Sequence, residues 1–137
     1  MVKQIPDLSG FTGTQGYHYL NFMRNLKFTD GMAHLSQKVG CFWIADIIAS
    51  VQNLPKIQEH KTFIVWRIVV KDDAAIVDAH WDSEGSDDDG NNIFSNEKLL
   101  YKQKIKYTDF PEGTFEFYQC EDVVMLKGEY WRWELNK

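Results

Sequence analysis

The period of the apolar positions changes once along the chain, near residue 60. Before that point it is helical. Met32, Leu35 and Val39 follow "FTDG", in which Thr29 has an N-cap side chain and Asp30 puts a negative charge in the first turn. Gly40 interrupts. Phe42, Trp43, Ile44, Ile47, Ile48 and Val51 then resume the helical spacing as far as Gln52, and Asn53 and Pro55 close the segment. The pattern predicts helices over 29–39 and 40–52, the second with a stripe wide enough to be mostly buried. Residues 1–16 carry Pro6, Gly10, Gly13 and Gly16 and read as an irregular leader; a brief helix fits 16–24.

Beyond residue 60 the pattern changes to short runs with strand character. "TFIVWRIVVK" and "AAIVDAHWD" are rich in β-branched and aromatic residues and read as a hairpin turning at "KDD". Residues 82–97 are acidic and bear glycine, and predict a solvated loop. In "KLLYKQKIKY", Tyr101, Gln103, Ile105 and Tyr107 share one side, and Leu100, Lys102, Lys104 and Lys106 the other. "TDFPEG" turns the chain into a last hairpin, "TFEFYQC" and "VVMLKGEYWRWEL", with "ED" near its tip. Helices followed by strands with short connections predict one α+β domain over 1–137. In it an N-terminal helix pair packs on one face of an antiparallel meander of about five strands.

Composition narrows the function classes. The chain has 137 residues and 44% apolar content, enough for one core without staples. Its net charge of −5 works against non-specific binding to nucleic acid or anionic membrane. Asp46 interrupts the longest apolar run short of a membrane span, and "MVKQIPDLSG" has no signal-peptide core, so a cytoplasmic protein is expected. Cys41 and Cys120 fit no metal spacing and read as packed thiols.

Candidate chemistry is sparse. With Gly90 as the sixth residue of a calcium loop, the first and twelfth positions fall on Gly85 and Asn96, which removes two ligands. His18, His34, His60 and His80 lie in four separate segments. Only Asp78, His80 and Asp82 form a row, on one face of a strand; they would suit a metal-assisted hydrolase or nuclease, or a polar outer face. No nucleophile elbow, phosphate loop or dinucleotide fingerprint occurs, and no cofactor is expected. Lys102, Lys104 and Lys106 serve either to protect a sheet edge or to meet a partner. Trp131 and Trp133, beside Tyr130 and Arg132, have the composition of an interface hot spot. With Asp87, Asp88 and Asp89 in the loop, the chain carries opposite-sign patches suited to a protein partner or to self-association.

The segments "FTGTQGYHY", "FTDGMAHLSQKVGCFWIADIIASVQ", "KYTDFP" and "GEYW" resemble a family of small, functionally uncharacterised bacterial proteins that accompany phage and plasmid sequences. The resemblance runs over most of the chain. It implies a compact single domain in a mobile-element setting and brings no catalytic residues with it. The resulting expectation is a non-enzymatic binding protein acting on a host protein complex, for example as an inhibitor of a defence system. A metal-assisted enzyme at Asp78, His80 and Asp82 and a self-associating structural component are the alternatives.

Overall fold

The computed structural model describes residues 17–20, 23–29, 31–32, 34, 43–108 and 110–130. Two strands come first, β1 (Tyr17–Leu20) and β2 (Met23–Thr29), paired antiparallel where a brief helix fitted the sequence. Thr29 ends β2 and its Oγ1 accepts the Met32 N–H at 3.4 Å, the contact expected of an N-cap. The rest of the predicted 29–39 helix lies largely outside the described residues, as does Cys41. The second predicted helix is α1 (Trp43–Ser50), which buries Ile44, Ile48 and Ala49 and exposes Asp46 and Ser50. A short helix that the apolar spacing did not signal follows, α2 (Pro55–His60), with Pro55 in its first turn and only Ile57 buried.

The sheet is larger than the predicted five-stranded meander, and its topology differs. Strands β3 (Ile64–Lys71) and β4 (Ala74–His80) form the expected hairpin. Asp72 and Asp73, at φ 54° and 63°, supply the left-handed pair that a two-residue turn of this hand requires. A two-residue pair, β5 (Gly85–Ser86) and β6 (Asn92–Ile93), then rises out of the sheet, and the chain returns through a 3₁₀ turn at Asn96–Lys98 to β7 (Leu99–Ile105). Strands β8 (Gly113–Cys120) and β9 (Val123–Leu126) complete it, turning at Glu121 and Asp122. The spatial order is β1-β2-β9-β8-β3-β4-β7.

Two connections account for the difference. Residues 106–112 do not make a hairpin. They carry the chain from the outer side of β4 to the far side of β3, so β8, β3, β4 and β7 lie in Greek-key order. The crossover is tied to the β3–β4 turn: Thr108 N–H donates to the Asp73 carbonyl at 2.7 Å, and Asp72 N–H to Glu112 Oε1 at 3.1 Å. Phe110 is buried beneath it, edge-on to Phe115. The second connection is a parallel pairing of β2 with β9. It is sealed by buried Glu129, whose Oε1 accepts from Thr29 Oγ1 at 2.6 Å and from Leu126 N–H at 3.0 Å. Gly31 leaves room for this carboxylate, since a β-carbon there would stand 2.6 Å from Glu129 Oε1. The last strand stops at Leu126, where the sequence suggested it would run on through the tryptophans, and a 3₁₀ turn at Lys127–Glu129 follows.

The main core lies between the helices and one face of the sheet. Ile64, Trp66, Ile68 and Val70 of β3, Val77 and Ala79 of β4, and Phe117 of β8 meet Ile44, Ile48 and Ile57 of the helices. In its midst is a polar network that satisfies itself. Trp66 Nε1 and Gln52 Nε2 both donate to Gln119 Oε1 at 3.0 Å, while Gln119 Nε2 donates to Gln52 Oε1 at 2.8 Å and to the Glu121 carbonyl at 2.9 Å. A buried network of this kind is tolerated because its members have partners.

Candidate functional site

With one face committed to the core, candidate chemistry falls on the other. The antiparallel register puts Val65, Arg67, Val69 and Lys71 of β3 opposite His80, Asp78, Ile76 and Ala74 of β4. Lys102 and Lys104 of β7 lie opposite Asp78 and Ile76 on the same face, and Glu116 and Tyr118 of β8 lie opposite Arg67 and Val65. Burial along this face is uneven. Val65, Asp78, His80 and Glu116 are buried, while Val69 is 37% exposed and Lys71, Lys102 and Lys104 are exposed.

The unevenness has two sources: a second apolar cluster, in which Phe63 and Tyr130 pack against Val65, Tyr118, Cys120, Val123 and Met125, and the 82–98 excursion, which folds back as a flap over part of the face. Phe94 stacks on the His80 ring with centroids 4.0 Å apart, and the Arg67 guanidinium lies 4.7 Å from the Phe94 centroid. Asn92 N–H donates to Glu116 Oε2 at 3.0 Å, and Lys127 Nζ bridges Glu116 Oε1, at 2.9 Å, and the Gly90 carbonyl. At the base of the flap Trp81 stacks on His60, and Lys98 pairs with Glu84 at 3.0 Å. The acidic stretch is solvated at its tip, as expected, but it descends at 92–95 to cover the sheet. Phe94 and Asn92 are the residues that do this.

Under the flap, Arg67 Nη2 donates to Asp78 Oδ2 at 3.1 Å, and His80 Nδ1 lies 3.5 Å from Asp78 Oδ1. The row Asp78, His80, Asp82 is thus only partly assembled. Asp82 follows the end of β4, is exposed, and pairs with Lys98 at 3.6 Å. The cation nearest Asp78 is Arg67, which engages Oδ2 alone; buried Asp78 Oδ1 and His80 Nδ1 face each other with no hydrogen-bond partner among the described residues. Among the described residues no group of three or more His, Cys, Asp or Glu is placed to hold a metal ion. Phe94 closes one face of the imidazole, and His80 is 4% exposed.

Burial lowers the pKa of His80; Asp78 opposes the shift, and Arg67 and Lys102 add to it. An unfolded chain takes up this proton near pH 6.5, and the folded chain resists it to lower pH. The unfolded state therefore binds more protons in that window. The contribution of His80 to stability is complete above about pH 6.5 and falls away as the pH drops below it. Urea titrations from pH 7.5 to 5 are expected to show the wild type losing more stability than His80→Gln. Parallel curves would mean that the ring titrates as it does in water.

The uncovered part of the face is a groove. Val69, Ala74, Ala75, Ile76 and Ile105 supply its apolar lining, and Lys71, Lys104 and Lys106 its charged lining, around an open space of about 480 Å³. Among the described residues, Lys71, Lys102, Lys104 and Lys106 form no ion pair. Strand β7 ends the sheet, so Lys102 and Lys104 stand at its edge as well as on its face. Of the other residues singled out by sequence, Trp131 and Trp133 lie outside the described residues. Asp87 Oδ1 accepts from Asp89 N–H and Asn91 N–H, both at 2.9 Å, and so holds the flap tip, while Asp88 and Asp89 are exposed. Lys71, Val69 and Ile76 were not among the candidates; Lys71 follows an apolar run and gave no signal apart from its charge.

Among the described residues no helix is long and apolar enough to cross a membrane. Comparison with curated proteins and with solved structures yields no match. The sequence model of a family of unknown function (DUF6876) matches residues 3–130, and with nearly its whole length covered this chain belongs to that family.

Proposed function

We propose that the chain is a non-enzymatic binding protein whose working surface is the lysine-bordered groove, and that its ligand is an acidic, partly apolar segment of a protein partner. The observation that carries the reading is the set of three lysines without ion pairs, Lys71, Lys104 and Lys106, around an apolar floor, with exposed Lys102 on the same face, on a chain whose net charge is −5. A cationic rim of this kind, opposed to the overall charge, attracts an acidic partner at the groove and repels it elsewhere. An apolar floor adds the desolvated contact that a charged rim by itself lacks. Extending the resemblance to mobile-element proteins, the partner is a component of a host complex.

The test uses a synthetic peptide of alternating glutamate and leucine as probe, followed by calorimetry at low and high salt. The wild type is expected to bind it, and Lys104→Glu/Lys106→Glu to bind at least about tenfold more weakly, a difference of about 1.4 kcal/mol. Salt should erase most of the difference. Equal affinities for the two proteins would remove the groove from the reading, and tighter binding of a single-stranded oligonucleotide would move it to nucleic acid.

A further inference from the structure

The flap and the groove share one face of one sheet and are opposites. The flap stands above the sheet, carries Asp87, Asp88 and Asp89 at its tip, and leaves Ile93 47% exposed. The groove is recessed, floored by Val69 and Ile76, and bordered by Lys71, Lys104 and Lys106. The two do not neutralise each other within the chain: among the described residues no ion pair joins an aspartate of the tip to a lysine of the groove. A surface that is raised and acidic on one side, and hollow and basic on the other, is complementary to its own copy turned by a two-fold rotation.

We infer that two copies of this chain pair face to face about a two-fold axis lying between flap and groove. Each seats its acidic tip and Ile93 on the other's lysines and apolar floor. The inference rests on the groove assigned above and adds its regulation: the dimer covers both grooves, and an acidic partner must displace a flap to enter. Attraction between exposed opposite charges is screened by salt, so the pairing weakens as ionic strength rises.

Sedimentation velocity over a range of concentrations tests this. At low salt the wild type is expected to approach twice the 16.1 kDa of one chain, and at high salt to return to it. Two charge-reversed variants are then made, Lys104→Glu/Lys106→Glu and Asp88→Lys/Asp89→Lys. All four side chains are exposed, and circular dichroism verifies that the variants fold. Each alone should be monomeric, because flap and groove then carry the same sign. An equimolar mixture should form a heterodimer, because both contacts are again between opposite charges. A monomeric wild type at about 100 μM, where a weak pair with a Kd in the micromolar range would be assembled, overturns the inference. So does a mixture that fails to pair. If the chain is monomeric while the lysine variant still loses the acidic peptide, dimerisation is wrong and the binding function stands. If the heterodimer forms and no acidic peptide binds, the function is wrong and the dimer stands.

Discussion

Trp66→Ala is expected to lower the free energy of unfolding by about 3–5 kcal/mol, the usual cost of emptying a large buried aromatic site. Trp66 is fully buried on β3, a strand paired on both sides, and faces the helices. Its loss removes packing from Phe117 and Ile48 in the same core and takes away one of the two donors to Gln119 Oε1. Trp66→Phe separates these effects. It keeps most of the ring but deletes the N–H, and is expected to cost about 1–2 kcal/mol through the impaired network. Urea denaturation of the three proteins, with slopes compared to verify a common unfolded state, gives both numbers. A cost below about 1 kcal/mol for the alanine variant would place Trp66 outside the principal core.

The second large effect is expected at the ion pair beneath the flap. Arg67→Met keeps the stem length and removes the guanidinium that pairs with Asp78 and lies over Phe94. Asp78 is 5% exposed, so the change strands a carboxylate where water reaches it poorly. The expected loss is about 3 kcal/mol, because an uncompensated buried charge costs more than its pair contributed. The same reasoning predicts that Arg67→Met/Asp78→Leu recovers most of that loss, since replacing both partners leaves no charge behind. Hydrogen exchange in residues 82–98 supplies an independent reading. The flap leans on this cluster through Phe94, so its amides should exchange faster in the single variant and slow again in the double one. If the double variant is as unstable as the single one, the pair is not what holds this part of the face.

Both predictions concern residues whose individual character the sequence already displayed but whose partners it did not. Trp66 lies in a run rich in β-branched and aromatic residues, and the strand, its hairpin turn at Asp72 and Asp73, and the cationic side of β7 were all legible from local pattern. So was the apolar stripe of α1. Asp78 and His80 stood out as an alternating pair, and they do face one way. What moved Asp82 out of the row was the end of β4, and what closed the site was Phe94, fourteen residues beyond His80 and on a segment that reads by composition as solvent-facing.

Local period determined most of the central strands, the main helix, the tight turns and the segregation of lysines from aspartates, because each depends on residues a few positions apart. Only the tertiary structure decided that β2 runs parallel to β9, that residues 106–112 cross over the β3–β4 turn, and that the flap lies over part of the face and leaves the groove bare. These features are set by contacts such as Thr29 with Glu129, 100 residues apart, and Asn92 with Glu116, 24 apart. Alternation along a strand tells which side chains share a face. It holds no information about which strand comes alongside, and that choice rests on the summed burial and hydrogen bonding of the whole sheet.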